Sequence, residues 1–260
     1  MGDAPADGQL FRNADAYEAF MGRYSRALAP EFAQTAGVTS GERVVDVGCG
    51  TGALTGVLAG LVGAEHVAAL DPSEPFVEQC RSQVPGADVR VAPAEAIPFD
   101  DDSFDRALAQ LVFHFVDDPA ASVAEMARVT RPGGLVGACV WDMTGGMTML
   151  RAYWDAVREA GVEGRDEVER FGGKPGELSG LWREAGLRDV ADTPITVSSE
   201  YHSFDELWSS FLGGVGPAGT HAANLGEKEE AVRDAFWRNV GSPEGTFALT
   251  ATAWYAAGTV

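Results

Sequence analysis

From residue 43 to residue 142 the chain alternates short β-branched runs with segments of helical hydrophobic period, the pattern of a parallel sheet built from βαβ units. Arg43-Val44-Val45-Asp46-Val47 predicts a first strand that ends at glycines. Leu54, Val57, Leu58 and Leu61 then recur at i, i+3, i+4 and i+7, one apolar face of a helix. His66-Val67-Ala68-Ala69-Leu70 reads as a second strand, closed by Asp71-Pro72. Ser73 is placed to cap a helix through Phe76, Val77 and Cys80 that Pro85-Gly86 ends. Val89-Arg90-Val91 gives a third strand. After an acidic turn at 100–103, Phe104 to Val112 gives a fourth. Asp118-Pro119 opens a helix with a buried stripe of Val123, Met126 and Val129. Arg131-Pro132-Gly133-Gly134 stops it, and Leu135 to Val140 is a fifth strand.

Outside this region, residues 14–36 carry a helical pattern around Tyr17, Phe20, Met21, Tyr24 and Leu28. Beyond residue 142 the expectations are a helix at 148–160, a loop to Pro175 and a short helix ending at Ala185-Gly186. A strand at Ile195-Thr196-Val197 and a helix from Phe204 to Leu212 follow, then a flexible break from Gly213 to Gly219 and a helical stretch at 227–240. Phe247 to Tyr255 alternates as a strand does. No internal repeat or low-complexity linker interrupts the chain, so one domain is expected over 1–260: an N-terminal helix (14–36), a first half (40–142) and an elaboration (143–260).

Composition narrows the class. The 260 residues are 45% hydrophobic and 22% charged, ordinary for a globular core. No run of about 18 apolar residues predicts a membrane span, and the start MGDAPADGQL is acidic where a secretory leader is basic. Nineteen Lys plus Arg against 39 Asp plus Glu give a net charge of −20, which repels phosphate backbones and argues against a nucleic-acid partner. Three widely spaced cysteines form neither a C-x-x-C pair nor a disulfide framework, so a reducing cytoplasm is expected. No His/Cys/Asp grouping has metal-ligand spacing.

Chemistry concentrates at Val44-Val45-Asp46-Val47-Gly48-Cys49-Gly50-Thr51-Gly52, where a strand runs into alternating glycines and then a helix. Such a loop turns tightly and leaves bare backbone against a ligand beyond the strand's carboxyl end. Asp71, about twenty residues further on, ends the second strand, where a carboxylate can accept from both hydroxyls of a ribose. Loop and acid predict a nucleoside-containing cofactor. Gly48, Gly50 and Ala53 also satisfy the looser dinucleotide pattern, which keeps a nicotinamide oxidoreductase in view.

Four segments in order resemble one family. Asp46-Val47-Gly48-Cys49-Gly50-Thr51-Gly52 resembles the D-x-G-C-G-T-G signature of class I S-adenosylmethionine-dependent methyltransferases, and Leu70-Asp71-Pro72-Ser73 their second-strand acid. Residues 94–105, from Ala94-Glu95 to Phe104-Asp105, are similar to their A-E-x-L-P-F-x-x-x-S-F-D segment. Arg128-Val129-Thr130-Arg131-Pro132-Gly133-Gly134 is similar to R-V-L-R-P-G-G. The subgroup resembled is that of the ubiquinone and menaquinone biosynthesis methyltransferases, and Met21-Gly22-Arg23-Tyr24-Ser25 is similar to an M-G-R-W-S segment found in part of it. The resemblance implies an α/β fold, a doubly wound, mostly parallel seven-stranded Rossmann-like sheet of order 3-2-1-4-5-7-6 with helices on both faces and the last strand antiparallel. It also implies S-adenosylmethionine as cofactor and a small-molecule methyl acceptor.

By position, the resemblance places the backbone of Gly48, Cys49 and Gly50 against the methionine part of the cofactor, with Asp46 bonding there directly or through water. Asp71 would hold the ribose, Pro72 would lie against the adenine, and Ala94 and Glu95 would meet the adenine edge. Gln110 and Leu111 would flank the sulfonium, and Arg23 would pair with the cofactor carboxylate. The chain departs from the family pattern at Ala92-Pro93-Ala94-Glu95, where G-D-A-E is usual, so the acid that meets the adenine amino group is a proline here. Plainer readings stand beside these: Asp46 as a turn residue, Cys49 as a small buried residue in the bend, Glu95 as a solvated loop acid, Arg23 as a surface cation. His114, just past the fourth strand, is a candidate base for a hydroxyl or amine, or else a packed edge residue. Tyr201, His202, Trp208 and Phe211 read equally as pocket or core. Ala109-Gln110-Leu111-Val112 lacks the N/D-P-P-Y/F signature of enzymes that methylate base amines. The alternatives to a methyltransferase are an NAD(P)-dependent oxidoreductase and a catalytically silent cofactor-binding protein. The oligomeric state is not legible.

Overall fold

The computed structural model describes residues 14–164, 166, 168 and 171–260. Seven strands form one sheet of order β3-β2-β1-β4-β5-β7-β6, with β1 Val44–Val47, β2 Val67–Asp71, β3 Asp88–Val91, β4 Phe104–Gln110, β5 Thr130–Trp141, β6 Arg188–Tyr201 and β7 Phe247–Thr259. The pairs β1–β2, β1–β4, β2–β3 and β4–β5 are parallel, and β5–β7 is antiparallel. The sheet order and the antiparallel last strand agree with expectation. After a short helical turn at Ala14–Tyr17, the α-helices are α1 Arg23–Thr35, α2 Ala53–Val62, α3 Glu74–Gln83, α4 Pro119–Val129, α5 Thr148–Glu159, α6 Glu177–Glu184, α7 Phe204–Leu212, α8 Gly216–Ala222 and α9 Glu229–Asn239.

The chain divides into two compact units. One contains Leu28–Trp141, Phe171–Ile195 and Ala253–Val260. Its central strands β1 and β2 are buried on both faces, whereas the edge strand β3 is buried only at Val89. Val47, Leu70, Ala107, Val123, Met126 and Trp182 belong to its main core, and the Trp182 indole N–H donates to the Val136 carbonyl at 2.8 Å. The other unit comprises the described residues of Met1–Ala27, Asp142–Arg170 and Thr196–Thr252. Its core is aromatic. Phe20 meets Phe211 edge-on at 4.8 Å, and Tyr153 and Phe236 pack on the same Phe211 ring at 4.7 and 5.1 Å. Tyr201, Trp208 and Phe211 are therefore core residues of this unit, whereas His202 is exposed.

Several local expectations change. The single helix over 14–36 is broken by a π-helical turn at Glu18–Gly22. The glycine-bearing stretch read as a flexible break holds the start of α8, with proline in its first turn. Arg131-Pro132-Gly133-Gly134, expected as a turn, lies inside β5. It is drawn there because Gly133 N–H donates to the Val260 carbonyl and Val260 N–H to the Gly134 carbonyl. In α2 the buried face is Leu54, Thr55, Leu58 and Val62, while Leu61 is exposed. Asp118 caps α4 as expected, its Oδ1 accepting from Ala121 N–H at 3.0 Å. Ser73, though at the N-cap position of α3, makes no side-chain cap bond.

Candidate functional site

The glycine loop is bound to the carboxyl end of β2. Gly48 and Cys49 both donate backbone N–H to the Leu70 carbonyl, at 2.7 and 2.9 Å. Gly50 N–H donates to Asp71 Oδ2 at 3.0 Å, and Ser73 N–H to Asp71 Oδ1 at 2.8 Å. Gly48 has φ +75°, and a Cβ there would lie 2.4 Å from Val112 Cγ2, so the position needs glycine for both conformation and space. Gly50 has φ +52°, and a Cβ there would meet no atom within 4 Å. Its outer side is open backbone, available to a ligand.

Two buried carboxylates face this loop. Asp71 is 8% exposed; burial raises its pKa, while the N–H groups of Ser73 and Gly50 oppose the rise. Its two amide donors leave further lone pairs on both oxygens for a diol. Asp46 is 1% exposed and pushed up to about 7, chiefly by burial, with the Asp71 charge adding to the rise and the Thr55 hydroxyl opposing it. Thr55 Oγ1 donates to Asp46 Oδ2 at 2.6 Å, whereas Asp46 Oδ1 is buried with no hydrogen-bond partner. A buried carboxylate oxygen without a donor is costly unless a ligand supplies one. The orphaned Oδ1, the open Gly50 and the pre-oriented Asp71 fit a ligand that carries an ammonium group and a ribose.

The remaining expected residues fall as follows. Pro72 and Pro93 are exposed, and Ala94 is buried. Glu95 Oε1 accepts from the N–H groups of Asp117 and Asp118, at 3.0 and 3.2 Å, so this acid holds the loop after β4. Gln110 ends β4. Leu111 has φ +64°, rare for a branched side chain, and its N–H donates to the Cys139 carbonyl at 2.8 Å. His114 is 8% exposed, and its Nδ1 lies 2.8 Å from the Phe171 carbonyl. A carbonyl only accepts, so Nδ1 carries the proton and Nε2 is the acceptor nitrogen of the neutral ring. Cys49 is buried in the bend. Arg23 belongs to the other compact unit, where its Nη2 pairs with Glu206 at 2.5 Å and its guanidinium lies 4.2 Å from the Tyr201 ring centre.

Sequence reasoning missed two contributors. One is Thr55, whose place in an apolar helical run gave no sign of a polar role. The other is Arg128. Its guanidinium donates to the carbonyls of Ile97 and Phe99 at 2.9 Å each and pairs with Glu125 and Asp101, both at 2.7 Å. Glu125 in turn accepts from Ile97 N–H at 2.8 Å. The arginine of the R-V-x-R-P-G-G segment thereby fixes the A-E-x-x-P-F segment.

A model of the methyltransferase domain matches residues 45–137. Over 127 residues the chain is 41% identical to an uncharacterized methyltransferase of Mycobacterium tuberculosis, covering 48% of this chain and 47% of that protein. It is 34% identical over 139 residues to the demethylmenaquinone methyltransferase of Clavibacter sepedonicus, covering 52% of each. The chain thus spans about half the length of the curated relatives it matches. Among solved structures, a proposed type II methyltransferase from Anaeromyxobacter dehalogenans superposes with a TM-score of 0.62 at 23% identity, over 90% of this chain and 95% of that one. The [4+2]-cyclase SpnF superposes at 0.51 and 18% identity, over 90% and 81%. The family match thus covers residues 45–137, and the fold as a whole is shared with the solved methyltransferase and cyclase structures.

Proposed function

We propose that the protein is an S-adenosylmethionine-dependent methyltransferase with a small-molecule acceptor. The observation that carries this reading is the bond from Gly50 N–H to Asp71, which joins an open glycine backbone to a ribose-type acid at the carboxyl ends of β1 and β2. When bound, the cofactor supplies an electrophilic methyl group on a sulfonium that leaves readily. The chain's part is then mainly to orient and enclose, for which effective molarities of about 10⁵ M or more are attainable. Asp71 accepts the ribose hydroxyls. Asp46 Oδ1 accepts from the ammonium group. Glu95 is engaged with the 117–118 loop, so the adenine amino group falls to backbone of the 93–95 segment in place of the acid absent at Pro93. His114, with its proton fixed on Nδ1, takes the acceptor's proton at Nε2.

An acidic surface of net charge −20 supports a small acceptor over a nucleic acid. The fold by itself does not settle the chemistry, since a cyclase shares it. The test is transfer of isotopically labelled methyl from S-adenosylmethionine to a panel of phenols, amines and quinols. Label on any of these supports the reading. Tight binding without transfer to any acceptor favours the silent cofactor-binding alternative.

A further inference from the structure

A buried polar chain runs beneath the glycine loop. The Cys80 thiol on α3 donates to Thr55 Oγ1 at 3.5 Å, and Thr55 Oγ1 donates to Asp46 Oδ2 at 2.6 Å. Cys80 and Thr55 are 0% exposed and Asp46 is 1%. Cys80 packs closely under the loop, its Sγ 3.1 Å from where a Gly52 Cβ would stand. The hydroxyl's single proton points to Asp46 because the thiol occupies its acceptor side. With Oδ2 so held, the carboxylate cannot rotate without breaking a short charge-assisted bond, and Oδ1 keeps one direction.

We propose that Thr55 is a positioning residue of the cofactor site: its hydroxyl, oriented by the Cys80 thiol, holds the Asp46 carboxylate turned so that Oδ1 receives the ligand's ammonium group. The inference rests on the cofactor reading above and adds to it a residue outside the glycine motif. The titratable groups around Asp46 are Asp71 at the end of β2, Cys49 in the loop, Cys80 on α3 and Cys139 on β5. None is a cation. The Thr55 hydroxyl is therefore the larger counterweight to burial, with the Thr55 backbone adding a smaller one, and both act to lower the carboxyl's pKa.

The test measures S-adenosylhomocysteine affinity by calorimetry from pH 5.5 to 9, beside thermal unfolding, for wild type, Thr55→Val, Thr55→Ala and Thr55→Ser. Wild-type affinity should rise with pH and level off above about 7, as Asp46 ionises. Thr55→Val and Thr55→Ala should move that midpoint up by about one unit and weaken binding about tenfold at pH 7, with partial recovery at pH 9. Thr55→Ser should keep the wild-type midpoint and lie within about twofold of wild type. Loosened packing alone would lower affinity equally at every pH. The proposal is overturned if both hydroxyl-free variants keep the wild-type midpoint, or if Thr55→Ser loses as much as Thr55→Val. Absence of binding by wild type at every pH would instead overturn the cofactor reading on which it stands.

Discussion

The backbone N–H of Gly50 donates to the carboxylate of Asp71 across 3.0 Å and 21 positions of sequence. One bond therefore couples the bare loop after β1 to the acid that ends β2. Asp71 is already oriented by this bond and by Ser73 N–H before any ligand arrives, so little ordering remains for binding to cost. The consequences can be measured position by position.

Gly48→Ala should be the most damaging single methyl in the loop. The added carbon would stand 2.4 Å from Val112 Cγ2 at φ +75°, and strain plus overpacking should remove about 2–4 kcal/mol of stability. Adding Val112→Ala relieves the contact but not the backbone conformation, so the double variant should recover only about half the loss in urea unfolding.

Asp46 gives stability a pH dependence whose sign is fixed. Its carboxyl lies near 7 in the folded state, against an ordinary value of 3.8, because burial disfavours the charge. The folded state holds that proton more tightly, so the group's contribution is fully present below about pH 4 and is lost as pH rises through about 7. Asp46→Asn carries no such proton. The stability difference, wild type minus Asp46→Asn, should therefore fall between pH 4 and 7. A flat or rising difference would contradict the burial argument.

Arg128→Lys tests how the adenine-side segment is held. A single ammonium cannot reproduce a fork that meets two carbonyls and two carboxylates. Amide exchange across 95–101 should accelerate about tenfold with little change in β1 and β2. Uniform acceleration over the whole sheet would mean that Arg128 serves global stability instead.

His114 is expected as the Nδ1–H tautomer, held by the Phe171 carbonyl at 2.8 Å. Two-bond ¹⁵N–¹H correlation above the ring's titration should show protonated Nδ1 and unprotonated Nε2. The opposite pattern would remove the argument for Nε2 as a proton acceptor.

How much of this was legible follows from the range of the forces involved. Gly48, Gly50 and Asp71 announce themselves because backbone conformation and strand ends are local matters, and the β-branched runs of β1 and β2 do likewise. Asp118 at the α4 N-cap is equally local. What failed depends on distant partners. Pro132-Gly133-Gly134 reads as a turn until Val260 pairs with it. α8 looks too rich in glycine, yet Gly219 sits where a Cβ would be 3.0 Å from the Gly214 backbone, so close packing selects glycine there. Thr55 hid in an apolar run because hydrophobic period cannot tell a buried hydroxyl with a carboxylate partner from an exposed one. His114 was visible, but the carbonyl that sets its tautomer lies 57 residues away.

The most direct measurement is a calorimetric titration of the wild-type protein and Asp71→Ala with S-adenosylhomocysteine, NAD and NADP. Saturable binding of S-adenosylhomocysteine alone, weakened about thirtyfold or more by Asp71→Ala, is the predicted result. Binding of a pyridine dinucleotide in its place, or an affinity indifferent to the loss of Asp71, would contradict it.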